Sequence, residues 1–237
     1  MKAFYKCALL VALIGSSAPL CRAAQSSTDT TTTPDNEFRV GGYAIFYDAT
    51  ARDISGPFVP AGLNLHVQNV QTLYFAYERA FSTHFGFELA AGWPPTTKTF
   101  GRGPATVGSV PYNGQQISSA KWFAPSALLT YKFFDERYAL RPYIGVGATY
   151  VNFYDRQSTA AGDAASGGPT KLSLTSSIGP TATAGLAYRV SPRWGLYASY
   201  SISRVRTNLT ADTAGVIRTT HISFAPGALV ISGGYSF

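Results

Sequence analysis

From Phe38 to the C-terminus, large apolar residues alternate with small or polar ones at a period of two. That is the signature of strands with one apolar face, and it recurs in eight segments. The first is expected over 38–53. The second carries Leu73, Phe75 and Tyr77 on one face and Thr72, Tyr74, Ala76 and Glu78 on the other. In the third, Phe85, Phe87, Leu89, Ala91 and Trp93 oppose Gly86, Glu88, Ala90 and Gly92. The fourth sets Ala127, Leu129, Tyr131 and Phe133 against Ser126, Leu128, Thr130 and Lys132. In the fifth, over 141–154, Ile144, Val146, Ala148 and Tyr150 are read as the outer face and Gly145, Gly147 and Thr149 as the inner. The sixth (Ala182, Ala184, Leu186, Tyr188), seventh (Trp194, Leu196, Ala198, Tyr200, Ile202) and eighth (Leu229, Ile231, Tyr235, Phe237) follow the same rule.

The connections alternate in length. Short ones fall near 81–84, 135–140 and 190–193; longer ones, rich in Gly, Pro, Ser and Thr, fall near 55–63, 96–119, 156–175 and 211–218. Short turns at one end and long loops at the other characterise transmembrane barrels. A soluble barrel of the lipocalin kind would turn the apolar face inward and the polar face to water. Here the polar faces hold Gly, Ala, Ser and Thr with few charges, which suits a crowded lumen better than a wet exterior. The fold class expected is all-β, an eight-stranded antiparallel transmembrane β-barrel with both termini on the short-turn, periplasmic side.

Composition agrees. Charged residues make up 13% of the 237 positions, against about 25% in ordinary soluble domains. No run of 18 apolar residues occurs, which argues against a helical membrane span. Lys2 and Lys6, the apolar run 7–14 and the small residues of 16–24 read as a secretory signal peptide, cleaved after Ala23. Residues 24–37 are a polar, low-complexity lead-in, expected to be flexible, and the barrel is expected over 38–237. Cleavage removes Lys2, Lys6 and Arg22 and no acid, so the formal net charge falls from +7 to +4; it also removes Cys7 and Cys21. The mature chain then has no disulfide, no thiol nucleophile and no cysteine metal site. Its scattered basic residues give no nucleic-acid signature.

Aromatic residues sort by depth. Phe81, Phe85, Phe133, Tyr188, Trp194, Tyr235 and Phe237 are expected at the periplasmic rim, and Trp93 and Trp122 at the other. Two aromatic girdles fit a lipid-facing exterior. Arg204 and Arg206 continue the outer face of strand 7 and could meet lipopolysaccharide phosphates. They read equally as solvated loop bases.

The best catalytic candidate is His221-Ile222-Ser223. A triad needs an acidic group to orient the histidine, and no Asp or Glu follows Asp212. His66 and His84 have no metal-ligand spacing. No enzyme, cofactor or metal is expected.

Several stretches together resemble the OmpW family: GFELAAGWP (86–94), FAPSALLTYKFF (123–134), RPYIGVGATYVNF (141–153), GPTATAGLAYRVSPRWGL (179–196) and the terminal GGYSF (233–237). The resemblance covers most of 64–237; residues 38–63 match poorly. It implies an outer-membrane barrel, in a Gram-negative-type envelope, that takes up small hydrophobic molecules passively. A structural or adhesive barrel like OmpA or OmpX, without transport, is the alternative, and a lipid A deacylase a remoter one.

An eight-stranded barrel is barely wide enough for its own side chains, so a narrow apolar path is expected rather than an aqueous pore. Leu128, Tyr143, Val151, Phe153, Phe224 and Val230 are the expected solute path, with small residues such as Gly185 and Gly195 leaving space. Glu78, Glu88 and Lys132 are expected as a paired periplasmic floor, since unpaired buried charges are costly. Pro94, Pro95 and Pro125 lack the N–H that a closed ladder needs, and mark a lateral opening between strands 3 and 4. Tyr235 and Phe237 are read as the signal for the outer-membrane insertion machinery. The other partners expected are outer-membrane lipid, lipopolysaccharide and small hydrophobic solutes, and the barrel is expected to be a monomer.

Overall fold

The computed structural model describes residues 35–47, 49–51, 53–107 and 109–237. The expected signal peptide (1–23) and nearly all of the polar lead-in lie outside the described residues. Eight strands form the barrel: β1 (Asn36–Phe46), β2 (Val70–Ala80), β3 (Phe85–Gly92), β4 (Ser126–Lys132), β5 (Leu140–Ser158), β6 (Ser177–Arg189), β7 (Trp194–Ser203) and β8 (Gly227–Ser236). Each pairs antiparallel with the next, and β8 pairs with β1, so the sheet closes on itself. Closure removes the sheet edge, which is what permits strands to cross a bilayer.

The alternation sets the two faces. Leu73, Leu89, Leu129, Val146, Leu196 and Ile231 are exposed on the outside, while Tyr74, Glu88, Leu128, Thr149, Tyr197 and Val230 are buried inside. Phe81, Phe85, Phe133, Tyr188, Trp194 and Phe237 are exposed toward the short-turn end, and Trp93 toward the other. Trp122 departs from expectation. It is buried in the lumen, and its indole N–H donates to Thr97 Oγ1 at 2.8 Å. Its inward face follows the even-numbered parity of Ala124, Ser126 and Leu128, which line the same cavity.

The first strand also differs. It begins at Asn36, not Phe38, and ends at Phe46; Ala49–Ala51 forms a separate short strand on Val216–Phe224. Glu37, read as part of a solvated lead-in, pairs with Ser236 and Glu78 in the ladder and is buried.

Much of what reads as loop is strand. Above the barrel, Gln116–Phe123 pairs with the upper part of β5, Thr96–Arg102 with Gln116–Phe123, and Asn64–Val67 with Thr96–Arg102. A second extension joins Thr170–Leu174, Val205–Thr213 and Val216–Phe224. These segments have water on one side and a mixed lumen on the other, so no apolar stripe advertises them. A short helix, α1 (Ala160–Ser166), is capped by Thr159 Oγ1, which accepts from the Gly162 N–H at 3.1 Å, and ends at Gly167 with φ 87°.

Candidate functional site: a closed floor, an apolar cavity and an open seam

Near the short-turn end the lumen is filled by one ionic cluster. Arg39, on β1, points inward and is 1% exposed. Its guanidinium donates to Glu37, to Glu78 and, at 2.8 Å, to Glu88 Oε2. Lys132 Nζ meets Glu78 Oε1 at 2.8 Å. Tyr74 donates to Glu88 Oε1 at 3.1 Å, and Tyr197 donates to Glu37. The rings of Tyr197 and Tyr143 face the guanidinium, with centroids 3.9 Å and 5.9 Å from its central carbon. Guanidinium stacked on aromatic faces and forked between carboxylates is the arrangement in which a buried cation keeps its charge.

The expected floor residues Glu78, Glu88 and Lys132 are therefore brought together. The centre of the cluster, Arg39, and its partner Glu37 escaped the sequence reading. The signal available was the Glu37–Arg39 pair, two opposite charges on one face at the start of an otherwise uncharged strand. Tyr143 is corrected: it does not line the cavity above but belongs to this sealing layer. So are Gly185 and Gly195. A Cβ on Gly185 would lie 2.7 Å from the Tyr143 ring, and one on Gly195 would lie 2.9 Å from the Tyr197 ring. These glycines house aromatic side chains rather than solute.

Above the floor lies a cavity of about 120 Å³, close to the size of engineered apolar cavities that hold one benzene. Leu128, Val151, Phe153 and Val230 line it, with Tyr43, Tyr47, Val67, Trp122, Val205 and Ile222. The Phe224 side chain lies outside the described residues. Glu88 forms the bottom of this cavity, whereas Glu37, Glu78 and Lys132 line a separate vestibule at the short-turn end. One wall is polar. Ser126, Thr149, Thr181 and Ser203, from four consecutive strands, form a hydroxyl chain with contacts of 2.7, 2.6 and 2.8 Å. Each hydroxyl is thereby satisfied by its neighbour, which lets a polar wall stand in an apolar cavity.

The β3–β4 ladder is interrupted beside this cavity. Pairing runs from Phe85↔Tyr131 to Ala90↔Ser126 and resumes at Thr96↔Lys121. Between these points no ladder pairing joins 91–95 to 122–125, the stretch that holds Pro94, Pro95 and Pro125. Each flank remains anchored on its other side: Trp93 N–H donates to Leu73 O at 2.8 Å, and Tyr150 N–H to Pro125 O at 2.9 Å. Ala91 has the outward parity of Leu89, yet it lines the cavity together with inward Ala90 and Gly92. The cavity therefore borders the wall at this break. Its upper edge is tied by Lys121 Nζ to Asp155 at 2.8 Å. That hydrogen bond holds the Asp155 carboxyl below its usual range.

The OmpW family model matches residues 35–237. The chain belongs to the OmpW family. Outer membrane protein W of Vibrio cholerae is 29% identical over 157 residues, 66% of this chain and 69% of its own. That of Escherichia coli K12 is 24% identical over 171 residues, 72% and 75% of the two chains. Among solved structures, OprG of Pseudomonas aeruginosa superposes with a TM-score of 0.77 at 19% identity, covering 86% of this chain and 96% of its own. AlkL in lipid bilayers gives 0.64 at 19%, covering 91% and 97%. At such identity these two show the fold alone. This OmpW-family barrel is thus an outer-membrane protein, with its short turns on the periplasmic side as in barrels of this type.

The His221-Ile222-Ser223 candidate does not assemble a triad. His221 Nδ1 contacts Asn208 Oδ1 at 2.8 Å, so an amide stands where an orienting carboxylate is required.

Proposed function

We propose that this OmpW-family barrel is a passive conduit for small apolar solutes, which enter the cavity from the outer side and leave sideways into the membrane between β3 and β4. The observation that carries the reading is the break in the β3–β4 ladder, which lies beside the interior cavity. The floor argues for the same route. A straight axial exit would have to part Arg39 from three carboxylates, and uncompensated buried charge is costly. An apolar molecule gains nothing from such a path, whereas the seam opens directly onto hydrocarbon.

The test uses cysteines at Ala91 and Ala124, both of which line the cavity beside the seam, joined by a short cleavable bis-maleimide. Liposomes carrying the crosslinked barrel should take up a small aromatic such as naphthalene slowly, and cleaving the linker should restore the rate. Uptake that persists undiminished with the seam crosslinked would defeat the lateral route.

A further inference from the structure

The outer surface carries a second feature, separate from the solute path. Arg204 and Arg206 are exposed on the outer side, alternating with buried Val205 and Thr207, of which Val205 lines the cavity. Arg156 is exposed two strand positions away around the barrel, where its Nη1 donates to Leu174 O at 3.3 Å; Leu174 pairs with Leu209 on the strand that carries Arg206. Among the described residues none of these three arginines makes an ion pair, and the acids of this region are engaged elsewhere: Asp155 by Lys121 and Asp212 by the Gly215 N–H at 2.9 Å.

Their height decides what they meet. On β7 the outward series Trp194, Leu196, Ala198, Tyr200, Ile202 is apolar, and Arg204 is the next outward position. Ten residues separate Trp194 from Arg204, about 33 Å of strand. At a tilt of roughly 40° this rises about 25 Å, the height of the apolar band of such barrels. If Trp194 marks the periplasmic interface, Arg204 stands at the outer one and Arg206 just above it. Beside them Ile178 is 72% exposed, and it pairs with exposed Tyr150. Uncompensated guanidinium groups thus sit directly over bare hydrocarbon surface, at the level of the outer-leaflet headgroups.

We infer that Arg156, Arg204 and Arg206 form a binding site for the phosphorylated headgroup of lipopolysaccharide, with Ile178 and Tyr150 against its acyl chains. Guanidinium forks bind phosphate bidentately, and two of them two residues apart on the same outward side suit a headgroup carrying more than one phosphate. The site is independent of the solute route, since none of the three arginines lines the cavity.

The experiment titrates the refolded barrel in detergent with bisphosphorylated lipid A, dephosphorylated lipid A and phosphatidylglycerol, following the bound lipid by native mass spectrometry. The R204Q/R206Q variant should bind bisphosphorylated lipid A about tenfold more weakly than the parent, the equivalent of ~1.4 kcal/mol. Its binding of dephosphorylated lipid A should not change. R137Q/R193Q, at the opposite rim, should match the parent throughout. Equal affinity of R204Q/R206Q and parent for bisphosphorylated lipid A overturns the site. So does phosphatidylglycerol binding that equals that of bisphosphorylated lipid A, because the attraction would then be general to anionic lipid. Should the glutamine pair fail to fold, R204K/R206K decides: weaker binding supports the bidentate site, and unchanged binding overturns it.

Discussion

The central guanidinium carbon of Arg39 lies 3.9 Å from the centre of the Tyr197 ring. Residues 158 apart in sequence, on β1 and β7, are thereby stacked inside the lumen. The same ring's hydroxyl donates to Glu37, so one side chain holds both the cation and one of its counter-ions. The contact closes the barrel floor and ties its first strand to β7, past the intervening β8.

Arg39→Met should destabilise the barrel by about 3–5 kcal/mol, because Glu37, Glu78 and Glu88 would lose their shared cation while remaining buried. Tyr197→Leu should cost less, roughly 0.5–2 kcal/mol from the cation–ring contact and about 1 kcal/mol from the lost hydroxyl contact. Urea-dependent loss of the heat-modifiable form in liposomes measures both. An Arg39→Met barrel as stable as the parent would mean that the cluster contributes nothing to closure.

Leu128→Asp and Val151→Asp each place a carboxylate in the apolar cavity, at positions 4% and 8% exposed. Either should slow uptake of a small aromatic severalfold in a liposome assay while the protein still migrates as a folded barrel. Glucose should be excluded by parent and variants alike. Sugar permeation at the rate of the aromatic would contradict an apolar conduit.

Pro125→Ala restores one N–H at the edge of the seam. If it finds a carbonyl on 91–95, the ladder gains a hydrogen bond worth roughly 1 kcal/mol net. The expected result is a slightly higher thermal midpoint together with slower apolar uptake. A faster or unchanged rate would separate the proline from the exit route.

Deleting Phe237 should reduce the amount of folded protein recovered in the outer membrane. The Phe237 N–H donates to Asn36 O at 2.9 Å, and Tyr235 packs edge-on against Trp194 at 5.0 Å, so the last residues both close the barrel and present an aromatic face. Quantifying heat-modifiable barrel in membrane fractions tests this. A yield equal to the parent's would remove any role for the terminal side chain in assembly.

The alternation of residues such as Leu129 with Leu128 and Thr130 carries the strand count, the face of every barrel strand and the closed architecture, because a two-residue period leaves each side chain only two directions. Composition and the spacing of turns carry the membrane setting for the same local reason. The three prolines mark the seam because a missing N–H is a property of the residue itself. What joins across the lumen was not legible. Glu37 looks like part of a polar tail until β1 pairs with β8. Arg39 acquires its meaning only when Glu78 and Glu88, from β2 and β3, converge on it. The spaces beside Gly185 and Gly195 read as room for solute until Tyr143 and Tyr197 swing into them. Each of these depends on strand register and on the small radius of the barrel, which bring distant inward side chains into contact. No periodicity within one segment encodes which partner will be met there.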